Sequence, residues 1–492
     1  MTAPAPPGSP GSRSAPGPVP LAEIAERAGP LRLEGDPSGV VIRRVTYDHR
    51  KVEPGALHCC LPGGVVDGRQ FAADARRAGA VAFVSETALG AAAGGLPQLV
   101  TGPGAARSAM AHAACVVFGD PAGALLTLGV TGTNGKTTTT YLLRSVLEAH
   151  GWPTAVIGTL AGPRTTPEAP ELQASFREAV AGGRAAVALE VTSHALSQHR
   201  VDGYRHDVAV FTNLSRDHLD YHGSMEAYFG AKARLFTPEH ARLGVVNADD
   251  DFGRRLLDRS EIDTVGFSLG EATDVEDDLG EVRFVLEGRK VRIRPGGLFN
   301  VRNALAAAAA ARALGVGSDE VAEGLSGSVA PSGRLEAVEN KLGATIVVDY
   351  AHTPAALEAV LTAASMATRD RGRIVVVFGC GGGRDAGKRA EMGAVASRLA
   401  DIAFVTSDNP RDEDPSAIIA DVVSGADGPA DVVVEPDRRK AIELAVAALS
   451  PGDALVVAGK GHETTQEVAG RLLAFDDRDA VAVALGDLDG AP

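Results

Sequence analysis

The stretch Leu125 to His150, LLTLGVTGTNGKTTTTYLLRSVLEAH, constrains this chain more than any other. An apolar run, Leu125 to Val130, leads into a glycine-rich turn, Gly132-Thr133-Asn134-Gly135-Lys136-Thr137, with Thr138 next. The following segment has helical spacing, with Tyr141, Leu142, Val146 and Leu147 on one face. A buried strand, a Gly-Lys-Thr turn and a helix together make a phosphate cradle. Glycines let backbone N–H groups converge on an anion, and the helix N-terminus adds partial positive charge. Lys136 is placed to neutralise phosphate oxygens, and the Thr137 hydroxyl is placed for Mg²⁺. A longer loop of this kind carries glycine five residues before Gly135; here Val130 stands there, giving the shorter GTNGKT form. The stretch predicts nucleotide binding, against the alternative of an ordinary strand-to-helix turn.

The rest of the chain must supply what this cradle lacks. A length of 492 residues suggests about three domains. Aromatics make up only 4% of the chain, so Val, Leu and Ala must fill the cores. The net charge of −15 argues against a polyanion-binding surface, so no nucleic-acid partner is expected. Cys59, Cys60, Cys115 and Cys380 lack metal-ligand spacing and read as small buried hydrophobes in a reducing compartment. No apolar run approaches the ~18 residues of a membrane span. Residues 1–18 have no apolar signal core and read as a disordered tail, and a cytoplasmic location is expected.

In chain order, 19–120 reads as a small α/β domain, with a helix over Leu21 to Ala28 and strands at Val40 to Val45 and Ala80 to Val84. Residues 121–330 read as a central phosphate-loop domain, doubly wound around a mainly parallel sheet. Its strands are expected at Ala155 to Ile157, Ala186 to Leu189, Val208 to Phe211 and Leu243 to Val246. A hairpin is expected within Asp274 to Arg294, an Ala-rich helix from Asn303 to Leu314, and a Gly- and Ser-rich linker to Ser332. Residues 331–492 read as a Rossmann-like α/β domain with strands at Thr345 to Val348, Arg373 to Phe378, Ile402 to Val405, Val432 to Val434 and Ala454 to Ala458. Sites in such domains gather at the carboxyl ends of strands.

Several polar groups sit at those ends. Glu190 closes the run AVALE and suits Mg²⁺, or else caps a helix. Asp217, His218, Asp220 and His222 fall within six residues and could form a metal site, although Mg²⁺ prefers oxygen and needs only one of them. Lys232, on an otherwise apolar helix face in AYFGAKARLF, reads by itself as a snorkelling lysine. Arg384, in GGGRDAGKR, could hold a carboxylate or phosphate, or lie in a solvated loop. Arg411, in SDNPRDEDP, suits a bidentate carboxylate or a surface ion pair with its acidic neighbours. Glu463, in GKGHE, could bind an ammonium or stabilise a helix N-terminus. Tyr47-Asp48-His49-Arg50 and Asp67-Gly68-Arg69 are turn-placed polar clusters that read as solvated loops.

Taken together, GTNGKTTTTY, TTPEAPELQ, LEVTSHALSQHRV, FTNLSRDHLDYHGSMEAYFGAKARLF, FNVRNALAA, VDYAHTP, GGGRDAGKR, SDNPR and GKGHE resemble the Mur ligase family, from about Val45 to Asp479. The family joins amino acids to peptidoglycan precursors with ATP, and the resemblance is to members that add the third residue. It implies that Gly132, Thr133, Asn134, Gly135, Lys136, Thr137 and Thr138 bind ATP, with Asn303, Arg334, Asp349 and His352 also serving the nucleotide. It implies that Tyr47, His49, Thr165, Thr166, Thr192, Gln198 and Arg200 bind UDP-MurNAc-L-Ala-D-Glu. Lys136, Glu190, His218 and Lys232 would be the catalytic set. Thr137, Glu190, His218 and a carbamylated Lys232 would hold two Mg²⁺ ions, which turns the snorkelling reading around. Arg384, Asp408, Asn409, Pro410, Arg411, Gly459 and Glu463 would bind diaminopimelate, in a monomer. Arg164 stands where the family often has Asn, Thr192 where it has Ser, and Gly64-Val65-Val66 replaces a more polar stretch. The alternatives are a paralogue acting on another acceptor or amino acid, such as lysine or a folylpolyglutamate-like pair, and a non-catalytic nucleotide-sugar binder.

Overall fold

A computed structural model describes residues 17–63, 66–368 and 372–489. The expected tail therefore lies almost wholly outside the described residues, as do Gly64 and Val65.

The phosphate-loop strand, Leu126–Thr131, is buried at every position and sits inside a six-stranded parallel sheet. Across that sheet run Asp263–Phe267, Ala241–Asn247, His206–Phe211, Leu126–Thr131, Ala186–Glu190 and Thr154–Ile157. The registers matter for the site: Val130 lies opposite both Glu190 and Val210, and Thr131 lies opposite Phe211. The segments after three strands therefore leave the sheet side by side. Helices Lys136–Ala149 and Leu298–Ala313 cover one face. In the second of these, residues 304–311 are all buried and all but Leu305 are alanine, since small side chains let a helix approach neighbours on every side. Phe176, Phe211, Tyr228 and Phe236 fill the opposite face.

Two expectations about this domain need correction. The segment expected as a hairpin forms three antiparallel strands, Ala272–Asp278, Glu281–Leu286 and Arg289–Ile293. The stretch expected as a linker contains the helix Ser318–Ser326, which packs on the phosphate-loop helix. Its glycine content was misleading, since Gly324 is a contact residue: a Cβ there would lie 2.4 Å from Val146 Cα.

The first domain carries strands in the order Arg32–Glu34, Gln98–Val100, Ala80–Ser85, Ala56–Cys59, Arg44–Thr46, antiparallel in the first pair and parallel in the others. The single strand expected over Val40 to Val45 is divided at Arg43 into Val41–Ile42, which pairs with Val19–Pro20, and Arg44–Thr46. In the third domain the order is Glu336–Ala337, Thr345–Asp349, Ala454–Ala458, Ile374–Phe378, Ile402–Val405, Asp431–Val434, parallel except at Glu336–Ala337. A hairpin, Thr465–Val468 and Arg471–Ala474, follows the last sheet strand. The final helix is anchored by Arg438 and Asp477, paired at 2.7 Å with both side chains wholly buried. All four cysteines are buried free thiols.

The Gly324 contact sets two effects against each other. Alanine raises helix propensity by about 1 kcal/mol, whereas overpacking against backbone costs about 1–3 kcal/mol. Gly324→Ala should therefore lower the urea midpoint for unfolding. A midpoint at or above that of the parent would contradict this packing.

Candidate active site

The phosphate loop is shaped by glycines and by the segment after His206–Phe211. Gly135 has φ 85°, and a Cβ on it would lie 2.3 Å from Asn303 Oδ1. Asn134 N donates to Asn213 Oδ1 at 3.0 Å, and Thr133 N to Asn213 O at 2.9 Å. The Thr133 hydroxyl donates to Ser215 O at 3.1 Å, and that of Thr212 to Asn134 O at 2.6 Å. FTNLS, read from sequence only as the approach to a metal cluster, thus serves as the template of the loop.

Lys136 Nζ donates to Gly132 O at 2.9 Å and Thr133 O at 2.8 Å. Lys232 Nζ reaches the same Gly132 oxygen at 2.9 Å, with the Tyr228 ring 4.7 Å away. It does not snorkel; Lys232 is 1% exposed. Burial, reinforced by the charge on Lys136, pushes the Lys232 amine well below its ordinary value. Burial pushes Lys136 in the same direction, but there the carboxylates of Glu190 and Asp217 oppose it.

Glu190 is buried, and both its carboxylate oxygens lie 3.0 Å from Thr137 Oγ1. Thr159 donates to it from N at 2.9 Å and from Oγ1 at 3.1 Å. Gly158 makes room, since a Cβ there would meet Glu190 Oε1 at 2.2 Å. The third domain reaches into this group: Arg334 donates to Thr137 Oγ1 at 3.0 Å, its guanidinium 4.6 Å above the Tyr350 ring. Asp349 accepts from Leu335 N and Ala351 N, each at 2.7 Å, and so fixes the backbone on either side of the crossing. Its burial raises the carboxyl above the usual range.

Asp217 joins the two domains. Its carboxylate lies 3.4 Å from His218 Nε2, 3.8 Å from His352 Nε2 and 3.6 Å from Lys388 Nζ. Burial alone would raise Asp217, but Lys388, His352 and His218 hold it below the ordinary carboxylate range. Burial pushes the His218 imidazole down to about 3 and that of His352 below its ordinary value, outweighing the attraction of Asp217. The four residues Asp217, His218, Asp220 and His222, which could have formed a metal site, do not come together as one. Among the described residues no group of three or more His, Cys, Asp and Glu side chains is placed to hold a metal. His222 instead hydrogen-bonds Ser193 Oγ at 2.9 Å, and Asp220 is exposed.

Lys136, Thr137, Glu190, Asp217, His218, Arg334, Asp349, His352 and Lys388 line a cleft of about 800 Å³ between the central and third domains, whereas Gly132 and Lys232 do not. Thr165, Thr166, Thr192 and Arg200 also line it; Tyr47, His49, Gln198 and Pro410 do not. Thr166 Oγ1 donates to Glu190 O at 2.8 Å, and Thr192 caps the next helix through Ala195 N at 3.1 Å. Arg200 donates to Thr166 O at 2.8 Å and to Gln198 Oε1 at 2.6 Å. Arg200, Arg164 and Arg107 all close on the buried Glu168 at 3.0 Å. Sequence reasoning missed Glu168 and Arg107, which are 61 residues apart and join the first domain to the second. Tyr47 makes a second such link, to Glu171 at 3.0 Å, and His49 stacks on Phe71 at 4.1 Å.

At the other end of the cleft, Arg384 is exposed and has no ion-pair partner among the described residues. Arg389, from the same loop, is committed to Glu413 and Asp421. Arg411 pairs with Glu467 at 3.2 Å, not with the acids beside it in sequence. Glu463 accepts from Asn409 Nδ2 at 2.9 Å and from the wholly buried Lys460 at 3.0 Å. Gly459 has φ 118°, and a Cβ there would lie 2.6 Å from Asp408 Oδ2.

Family models match three stretches of the chain: the Mur ligase family catalytic domain over 41–136, the Mur ligase middle domain over 130–311, and the Mur ligase glutamate ligase domain over 333–461. A UDP-N-acetylmuramoyl-L-alanyl-D-glutamate–2,6-diaminopimelate ligase of Streptomyces coelicolor is 43% identical, covering 96% of this chain and 97% of its own length. The chain belongs to the Mur ligase family. A ligase of the same name from Geobacter metallireducens is 42% identical, over 94% of this chain and 96% of that one. A solved structure of such a ligase aligns at 32% identity with TM-score 0.66, covering 96% of this chain and 100% of that one. The MurF ligase of Thermotoga maritima, solved with ADP, shares the fold at 20% identity and TM-score 0.62, over 90% of this chain and 97% of its own. As a family member the chain is an ATP-dependent, Mg²⁺-dependent ligase that forms amide bonds. Among the described residues, no helix is long and apolar enough to cross a membrane.

The contact between Gly135 and Asn303 tests the loop directly. Gly135→Ala should weaken ADP binding about tenfold or more by calorimetry, since a clash of about 1–3 kcal/mol must be relieved in the loop itself. Gly151→Ala, at φ 90° with open space around it, is the control for backbone strain alone. Equal affinity in the two variants would refute the assignment.

Proposed function

We propose that this chain adds diaminopimelate to the D-Glu γ-carboxylate of UDP-MurNAc-L-Ala-D-Glu, with ATP cleaved to ADP and phosphate. One observation carries the reading: a single cleft holds the phosphate loop at its centre, Thr165, Thr166 and Arg200 towards the first domain, and Arg384, Arg411 and Glu463 towards the third. Relatives more than 40% identical over nearly their whole length bear the name of that activity. The distal end of diaminopimelate carries a carboxylate and an ammonium, which suit the unpaired Arg384, the Arg411 fork and the Glu463 carboxylate. Lysine lacks that carboxylate. All the groups come from one chain, so a monomer suffices.

The donors present fit Mg²⁺, which takes hard oxygen ligands and completes its shell with water and substrate phosphate. Thr137, Glu190 and His218 would hold one ion, and a carbamate on Lys232 would help hold a second. When bound, the ions would neutralise phosphate charge and polarise the transferred group.

Lys136 neutralises the phosphates of ATP as the γ-carboxylate oxygen attacks the γ-phosphorus and the bond to ADP breaks. Arg334 adds a second positive group from the third domain, at the Thr137 hydroxyl. Arg200 and the Thr165–Thr166 loop hold the acceptor in line. Arg384, Arg411 and Glu463 then fix diaminopimelate with its amine facing the acyl phosphate, so the second step proceeds from a held geometry. The amine forms the C–N bond, phosphate leaves, and the amine gives up its proton.

Purified protein with ATP, Mg²⁺ and UDP-MurNAc-L-Ala-D-Glu should release phosphate and gain one amino-acid residue in product mass with diaminopimelate. Product with lysine and none with diaminopimelate would overturn the assignment.

Burial supports carbamylation of Lys232. Only the neutral amine attacks CO₂, forming an N–C bond with loss of one proton, and burial shifts this amine towards its neutral form. Peptide mass spectrometry after trapping in bicarbonate should find the carboxyl group on Lys232, and Lys232→Ala should lower kcat at least about a hundredfold. An unmodified Lys232 in fully active protein would refute it.

A further inference from the structure

The loop Asp408-Asn409-Pro410-Arg411 takes its shape from the hairpin that follows the last sheet strand. Gln466 Nε2 donates to Asp408 O at 2.7 Å, and Glu467 N to Asn409 Oδ1 at 2.9 Å. Arg411 N donates to Glu467 O at 3.0 Å, and Ala469 N to Arg411 O at 2.6 Å. Arg411 therefore lies beside Val468 as a one-residue extension of the hairpin, and it does so at φ 54°.

The side chain is held with equal care. Glu467 Oε2 lies 3.2 Å from Arg411 Nε, while Nη1 donates to Gly382 O at 2.5 Å. A guanidinium has five N–H groups; the hydrogen bond to Gly382 uses one on Nη1, and the ion pair with Glu467 faces Nε. One hydrogen on Nη1 and both on Nη2 have no protein partner among the described residues, and donors on Nη1 and Nη2 together can grip a carboxylate through both its oxygens. These donors belong to a residue lining the cleft.

We propose that Glu467 is a positioning residue for amino-acid selection: its carboxylate fixes the Nε side of Arg411, so that the Nη1 and Nη2 donors meet the distal carboxylate of the incoming amino acid. The proposal rests on the activity proposed above. Glu467 is not a catalytic residue, because it acts through Arg411. Its carboxylate also balances the Arg411 charge before the amino acid arrives, which lets a cation stand ready in the cleft.

The test is steady-state kinetics of the full chain with diaminopimelate, comparing the parent, Glu467→Ala and Glu467→Gln. The Glu467 side chain is 40% exposed, so truncation opens no buried cavity. Glu467→Ala should raise KM for diaminopimelate about threefold, the worth of one partly exposed ion pair, with kcat and KM for ATP unchanged. Glu467→Gln keeps an oxygen facing Nε without its charge and should restore only part of the loss. An unchanged KM in Glu467→Ala, or a fall in kcat matched by a lower melting temperature, would overturn the role of Glu467 while leaving the activity intact. A parent protein that makes no product with diaminopimelate would overturn both.

Discussion

The carbonyl oxygen of Gly132 accepts from two lysine nitrogens, Lys136 and Lys232, and the site is arranged around that meeting. Two ammonium groups on one oxygen repel each other, and removing both from water makes the repulsion stronger. The structure resolves this by treating them differently. Burial lowers both, and Asp217 supports both, but only Lys136 has Glu190 as well, whereas Lys232 is opposed by Lys136 and sits beneath Tyr228. The balance of charge around the two amines thus differs by position alone.

The second organising constraint is that the central domain cannot complete the site. Its strand register delivers the phosphate loop, Glu190 and Asp217 to one edge of the sheet, but Arg334, His352 and Lys388 reach them from the third domain. Arg334 crosses at the junction of the two domains, held there by Asp349 gripping backbone on both sides. The first domain is tied in by a different device, a buried carboxylate shared by three guanidinium groups.

Much of this was legible in the sequence because it depends on local pattern. The strand, turn and helix at Leu126 to Ala149 follow from apolar runs and glycine spacing, as do the strand ends at Glu190 and Asp349. What was illegible depends on contacts across long separations. Lys232 looked like a surface residue because nothing in its helix shows that Gly132, 100 residues earlier, would lie over it. Gly324 looked like a linker glycine because its reason is the backbone of another helix. Arg411 could be read as pairing with its acidic neighbours, yet the partner it has arrives from the hairpin beyond the last strand. Sequence shows which side chains carry chemistry, and the tertiary fold decides which of them are already engaged.

The buried pair Arg438–Asp477 has a reach that its position conceals. Arg438 also donates to Ala458 O at 2.9 Å, on the residue just before Gly459 and the turn that carries Lys460 and Glu463. Breaking a buried ion pair costs about 3–5 kcal/mol because the survivor keeps its charge without an answer. Without Asp477 that penalty would fall on the core of the third domain and on the backbone that leads into this turn. A fault in the closing helix of this chain would thus lower stability and, through Ala458, disturb the setting of Lys460 and Glu463.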